Sequence, residues 1–490
     1  MKKYLKISKI KSTKARSFHV LIMFTGLCII LIWGLQIYAS YKIPELINER
    51  IPKNMEVDFE EMDLNILLGT IRFQSINYKY FNKESNELEA EVTIGALDIN
   101  GLAYWPLWKD AKFKCDRVRV QNVGISKLNK TSGEVGFSID NGNMEMSGFK
   151  TDATLFHRKI PFTYQRIRFG INGLFLNLSP FESLTAESIN HKDHNLEIVD
   201  LEIFSKYSRD ELSRKLNKER DHMVLSIPKG LVNDLCLKTL NDSLYFSVRK
   251  VDVLKPELTM YRDKLLKDDK VVKPLFGAQL QRLPMKLDIQ DIAIKDGSVS
   301  YSEQVNEDVE PVSITFNRLV ANINKLSNTT DLQTKVEAKA LLMNEAPIQL
   351  LWDFNSSGHD DYFNASAILK NLNAEEINPF LESQAKVRAE GHINEMYLTI
   401  HGNGFKSHGN MKMKYNDFKF SMLDEDRLGI DKTLTLIVNL ITNDGSKTDE
   451  MGYRYGKIEV ERDRSKSFFN YLWLNLRDGL KNTVVGNGKK

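Results

Sequence analysis

The chain has 490 residues, 42% hydrophobic and 27% charged, enough to bury a sizeable core and unlike a low-complexity or disordered tract. Its formal net charge of +3 is unevenly placed. Residues 1–17 hold seven basic groups (Lys2, Lys3, Lys6, Lys9, Lys11, Lys14, Arg16) and no acid, and elsewhere 61 Lys+Arg face 65 Asp+Glu. That slightly acidic remainder excludes the electrostatic footprint of a nucleic-acid binder, and three cysteines do not make a disulfide scaffold.

Residues 18–39, FHVLIMFTGLCIILIWGLQIYA, contain no Asp, Glu, Lys or Arg. As one helix they can cross a hydrocarbon core of ~30 Å. A cleaved signal peptide is the competing reading. Its apolar region is usually only ~7–15 residues long, and Ile37-Tyr38-Ala39 is a poor small-x-small site, so an uncleaved signal anchor is favoured. The basic cluster precedes the span, whereas Lys42, Glu45, Glu49 and Arg50 balance one another after it. The positive-inside rule then puts residues 1–17 in the cytoplasm and the bulk of the chain across the membrane. YKIPELINERI (41–51) predicts a helical turn or two beyond it.

Period-two alternation, the mark of half-buried strands, dominates the chain beyond the anchor. FKCDRVRVQNVGISKL gives Phe113, Cys115, Val118, Val120, Val123 and Ile125. PMKLDIQDIAIKDGSVSYSE gives Leu287 and Ile289, then Ile292 and Ile294, then Val299 and Tyr301. NMKMKYNDFKFSML gives Met411, Met413, Tyr415, Phe418, Phe420 and Met422. The alternate positions are polar, which predicts antiparallel sheet with one wet face. A unit I-x-x-G-[ST]-[IV]-x-[FY] recurs at 66–73 and 294–301, with looser copies at 133–137, 409–413 and 456–460 and an I-N-G-L echo at 99–102 and 171–174. Glycine at a turn opening the next strand is the expected reading. Strands of ~8 residues would number on the order of 25. Residues 140–280 carry many charges and a poor repeat, and are expected to be elaborated, with loops and helices.

Helices are predicted to be few. SRDELSRKLNKERD (208–221) reads as an exposed charged helix, YRDKLLKDDKVVKP (261–274) as a linker, and AEEINPFLESQA (374–385) as a short helix opened by Asn373. The tail RSKSFFNYLWLNLRDGLKNTVVG (464–486) predicts a C-terminal amphipathic helix, with Ser467 as N-cap and Gly486 as stop. Its apolar face is Phe469, Leu472, Trp473, Leu476 and Leu480, and its basic side Arg477 and Lys481. The helix either caps the last strand and the apolar end of the sheet or lies against anionic lipid.

No chemistry-bearing arrangement emerges: no phosphate-binding loop, no H-E-x-x-H and no nucleophile elbow. His191 and His194 sit in a polar loop, His392, His401 and His408 on neighbouring strands, and Asp360 and Asp361 in a turn. No catalytic residue, metal or cofactor is predicted. Cys115 and Cys236 are read as two unpaired thiols, with a disulfide as the alternative. The one-sided apolar β surface must be buried. A trough with acyl chains inside and a row of dry β sandwiches both satisfy it.

The chain resembles the AsmA-like family, part of the wider group of bridge-like, repeating-β-groove lipid-transfer proteins. The likeness lies in the anchor followed by MEVDFEEMDLNILLGTIRFQSINYKY (55–80), in LPMKLDIQDIAIKDGSVSYSE (283–303), and in 369–423 and 442–480, with Asn378-Pro379, Gly391 and Tyr415-x-Asp417. The resemblance implies a mostly β protein with an elongated, curled, antiparallel, taco-like groove. It implies a single-pass protein of the bacterial inner membrane with its bulk in the periplasm. The expected domains are a basic segment (1–17), an anchor (18–39), a repeating β region (40–368), an AsmA-like C-terminal region (369–463) and the terminal helix (464–490). The implied function is non-enzymatic phospholipid transfer or envelope homeostasis, with membrane phospholipids and envelope proteins as partners and no nucleic acid. Ile292, Ile294, Val299, Tyr301, Met411, Met413, Phe418 and Phe420 are the expected groove-lining residues. An envelope scaffold of dry sandwiches is the alternative. The resemblance runs the tail on from the final strands, which favours the cap.

Overall fold

The computed structural model describes residue 27, residues 30–45 and residues 51–485, apart from 130–131, 156–159, 217, 241–242, 308–309, 356–360, 386, 424–429 and 432–447. The basic residues Lys2 to Arg16, most of the anchor, Cys28, Gly486 and the side chain of Phe420 lie outside the described residues. Residues 30–45 form helix α1, with Leu31, Trp33, Leu35, Ile37 and Tyr38 exposed. No helix of the described residues is long and apolar enough to cross a membrane.

The predicted alternation builds a mostly β fold, with a large, mainly antiparallel sheet and few helices. Two compact units divide at Leu174 and Phe175. The first contains β1 (Met55–Asp58), β2 (Glu61–Asn65), β3 (Thr70–Phe81), β4 (Leu88–Asn100), helix α2 (Tyr104–Asp110), β5 (Phe113–Leu128), β6 (Val135–Thr151) and the start of β7 (Arg166–Asn177). β1 and β2 pair end to end along β3, and β4, β5 and β6 follow as a meander. Cys115, Val118, Val120 and Met146 centre its core. Burial and the neighbouring Asp116 push the Cys115 thiol up to about 11.

The second unit continues with β8 (Glu182–Lys192), β9 (Asn195–Ser205), α3 (Arg209–Lys215), β10 (Asp221–Asn233), β11 (Cys236–Leu240), β12 (Ser243–Leu254), β13 (Glu257–Asp263), α4 (Phe276–Gln281), β14 (Lys286–Gln304), β15 (Ser313–Ser327), β16 (Thr334–Leu342), β17 (Ala346–Phe354) and β18 (Phe363–Asn373). It ends with a 3-10 turn (Ala374–Ile377), α5 (Asn378–Ala385), β19 (Val387–Gly402), β20 (Lys406–Leu423), β21 (Ile430–Asp431), β22 (Arg454–Glu461) and α6 (Phe468–Val485). Residues 140–280 are thus strand for most of their length. Ser208 caps α3 in a capping box, and Leu212 of that helix is buried, so the segment is docked rather than exposed all round. Asn373 caps the 3-10 turn as expected.

Three sequence expectations are corrected. The sheet is not wholly antiparallel: β12 and β13 both run parallel to β14. A parallel neighbour needs a crossover, which the segment between Asp263 and Lys286 supplies, carrying α4. Most strands are also longer than ~8 residues, reaching 19 in β14. The glycine unit marks turns at Gly69 and Gly133, which have positive φ, but 294–301 lies inside β14 and 409–413 inside β20.

Long strands stay one-sided by means of bulges. In β14 the apolar series moves from even numbers (Ile292, Ile294) to odd (Val299, Tyr301), and Asp296 between them has φ +54° with a register shift. An extra residue restores the face and bends the strand. Asp200 in β9 (φ +45°), Lys255 after β12 (φ +50°) and Asp296 (φ +54°) occupy facing positions, with Pro228 of β10 between the first two, and Arg318 in β15 (φ +51°) marks a second register shift just beyond Gly297. They form a crease across consecutive strands. Ser75 and Asn122, both with φ +52°, flank Gly95 in a matching crease of the first unit.

Candidate functional site: an apolar sheet face roofed at one end

Register carries single apolar rows across the second unit. One row joins Ile189, Ile198, Gly230, Val253, Ile294, Ala321, Ala338, Leu350, Ala367, Leu398, Met411 and Gly456 without a polar side chain. A second runs Val232, Val251, Ile292, Ile323, Val336, Trp352, Ala365 and Ile400. Beyond the crease a third passes Leu184, Ile203, Leu225, Leu258, Val299, Phe316, Leu342 and Ala346. One residue along, the opposite face shows Lys250, Asp291, Asn324, Lys335, Asp353, Asn364, His401, His408 and Glu459. Those side chains bond along their own ladder, Asn324 Nδ2 donating to Asp291 (2.7 Å) and Asn364 Nδ2 to Asp353 (2.8 Å).

Burial along the rows is unequal. Ile189, Ile198, Val253, Ile294, Ala338 and Leu350 are half-buried, whereas Ile400, Met411 and Ile458 are 1% exposed. The difference tracks α6, which packs over β22, β20 and β19. Ser467 Oγ caps this helix by accepting from Asn470 N, as predicted. Asp478 accepts from the Glu459 backbone N–H and Asn482 donates to the Lys457 carbonyl, so the helix also satisfies groups on the outer edge of β22.

The predicted groove-lining residues separate into two sets. Ile292, Ile294, Val299 and Tyr301 are half-buried on the apolar face of β14. Met411, Met413 and Phe418 sit in a closed core with Ile458, Val484, Leu476 and Leu480. On α6, Leu472, Trp473, Leu476 and Leu480 are half-buried and Arg477 and Lys481 exposed. Phe469 is 62% exposed, while Phe468, Tyr471, Asn475 and Thr483 turn inward. Gly479, with no side chain, lets the helix approach the sheet closely. A Cβ there would lie 2.8 Å from Met411 Cε and 3.1 Å from Ile458 Cδ1. Asn475 is satisfied in the core by Ser407 Oγ (2.8 Å) and the Tyr471 carbonyl (2.8 Å).

Sequence reasoning missed the role of the crossover. Leu275 and Phe276 pack with Trp352, Phe354, Phe363 and Phe468, with the Phe276 ring 5.1 Å from Trp352 and 5.6 Å from Phe468. The cavity among them is about 10 Å³, too small for a ligand. The crossover therefore extends the roof over β17 and β18. It is held by Lys273 N to the Arg464 carbonyl (2.8 Å), Arg462 to the Lys273 carbonyl (2.6 Å), and Lys466, which bonds Glu219 and Asp268. The signal was the aromatic Phe276 at the end of a charged linker.

Beyond Val299 the apolar rows end in charge. Arg262 grips Asp221 through two bonds of 2.6 Å, and Tyr301 donates to Glu303. Burial and Glu303 push the Tyr301 phenol up. Burial alone would lower Arg262, but the Asp221 carboxylate outweighs it and holds the guanidinium above its ordinary value. Among the described residues no group of three His, Cys, Asp or Glu is placed to hold a metal. His401 and His408 instead stand on the polar ladder, His401 Nδ1 2.7 Å from Asn364 Oδ1. No protein-family model matches the chain, and no curated protein matches it either.

Proposed function

We propose that the chain is a lipid-binding groove protein, anchored in the bacterial inner membrane with its bulk in the periplasm, that takes part in phospholipid transfer or envelope homeostasis. The observation that carries this reading is the unroofed stretch of the apolar face, from β8 to β15, where rows of mostly half-buried Ile, Leu and Val run strand to strand, with Val232 and Ala321 as buried members. An acyl chain laid on it gains ~0.8 kcal/mol per CH₂ removed from water. The crease supports curling of this sheet into a trough, since aligned bulges bend neighbouring strands together. The partly exposed carboxylates of Asp221 and Glu303, the first paired with the buried Arg262, give the trough a polar rim for headgroups. The exposed apolar side chains of α1 and the resemblance to AsmA-like proteins support the membrane placement. No step of this function needs a catalytic group or cofactor.

The test is mass spectrometry of lipid extracted from the purified full chain, beside I294D and V299D variants. Phospholipid should co-purify with the native chain and be lost from folded variants. A native chain free of phospholipid that also fails to take up a fluorescent lipid would sink the groove and leave the envelope scaffold. Variants that unfold outright would place Ile294 and Val299 in a dry core.

A further inference from the structure

A second apolar surface lies in the first unit, away from its core. The turn between β2 and β3 projects Leu67 (71% exposed) and Leu68 (68%), and α2 beside it projects Trp105 (65%) and Trp108 (79%). These are large apolar groups left in water by a fold that has a core available. They are held there rather than left loose. Tyr104 Oη donates to the Ile66 carbonyl (2.9 Å), Leu68 N bonds Asn65 Oδ1 (3.1 Å), and Leu102 N bonds the Gly69 carbonyl (2.9 Å). Gly69, at φ +61°, admits Leu102 so closely that a Cβ would sit 2.9 Å from its nitrogen. The two tips are thereby locked side by side, with the indoles 5.6 Å apart.

We infer that this patch is a bilayer contact, in which the two leucines and two tryptophans enter the headgroup region of a lipid surface. Tryptophan and tyrosine, apolar with one polar handle, are the residues that settle at that boundary. Lys109 on the same helix and Lys112 just after it stand at the rim, where anionic headgroups attract cations, with Asp110 3.6 Å from Lys112 as the single acid of α2. Position adds a second argument. The first strand begins at Met55, which pairs with Tyr80 at the far end of β3, while the patch adjoins Thr70 at the near end. Tyr80 and Thr70 are ten residue steps apart along β3, about 34 Å. An anchor at one end and the patch at the other lay β3 along the bilayer plane. The inference rests on the membrane placement proposed above, but not on a lipid-filled groove.

The test uses the full chain reconstituted in vesicles of phosphatidylethanolamine and phosphatidylglycerol, read only on the fraction that floats with lipid. Emission of the native chain is compared with that of a W105F/W108F variant, so the difference reports these two exposed indoles. That difference should be largely quenched by lipids brominated high in the acyl chain and protected from aqueous iodide, and L67D/L68D should reverse both. A difference signal quenched by iodide and untouched by bromolipid overturns the contact. So does protection that appears only on adding envelope proteins, and so does a chain that fails to float. Co-purified phospholipid is read separately, so either proposal can fail while the other stands.

Discussion

Parity breaks in the apolar pattern turn out to be the most informative single-residue signal. Ile71 and Phe73 give way to Ile76 and Tyr78 around Ser75, Leu196 and Ile198 to Leu201 and Ile203 around Asp200, and Met411 and Met413 to Phe418 around Asp417. Each of these middle residues has a φ between +45° and +52°. The breaks were legible as gaps in alternation, but not as bulges, because a break also fits a turn. Asp and Asn are favoured there since a short polar side chain tolerates the left-handed region. Asp296 gives a direct test. Asp296→Val, β-branched at positive φ, should cost about 1–2 kcal/mol, and Asp296→Gly should be near neutral. Urea denaturation of the two variants would show the difference, and equal midpoints would mean that the bulge relocates.

At the scale of elements, the N-cap of the C-terminal helix and most of its packed leucines were predicted, but not the residues it buries deepest. Helical spacing of large apolar residues pointed to Phe469, Leu472, Leu476 and Leu480. Leu472, Leu476 and Leu480 do pack, but the most deeply buried stripe passes through Tyr471, Asn475 and Gly479, because close approach to β20 and β22 favours small side chains with satisfied polar groups. Spacing weighs greasiness and cannot weigh fit. Gly479→Leu should therefore destabilise by about 1–3 kcal/mol through overpacking, whereas Phe469→Ser should stay within about 0.5 kcal/mol, as exposed substitutions usually do. Thermal unfolding would decide, and a tolerated leucine would mean that the helix does not press on Met411 and Ile458. The crossover was hidden for another reason: parallel pairing of β12 and β13 with β14 leaves no mark in a period-two pattern.

For the molecule as a whole, the mostly β class, the scarcity of helices and the two-faced sheet could all be read from alternation, since burial of one face dictates it. The count of long strands could not, because bulges interrupt the pattern without ending the strand. The unequal covering of the face was equally invisible, as half-buried Ile294 and fully buried Met411 lie in one row with the same local pattern. Removing residues 465–490 should strip the roof from Phe363, Ile400, Met411 and Ile458 and cost solubility, measured by sedimentation of the truncated chain. Retained solubility with loss of vesicle contact alone would instead assign the helix to a lipid surface.

The stapled crossover also imposes an order of events. Most of the sheet is hairpin meander, whose partners are close in sequence and can pair as the chain emerges. The crossover waits for partners almost two hundred residues later: Lys273 is fixed by Arg462 and Arg464, and Phe276 by Phe468. Contacts of such sequence separation form late. Until the last segment arrives, Trp352, Phe354 and Phe363 stand uncovered, so a chain made from its N-terminus spends its final stage with an open apolar surface. Protection of amides in β17 and β18 during refolding should lag behind that of β4 and β5. The roof is thus the last part of the fold to close, and the apolar side chains beneath it meet water until the final thirty residues arrive.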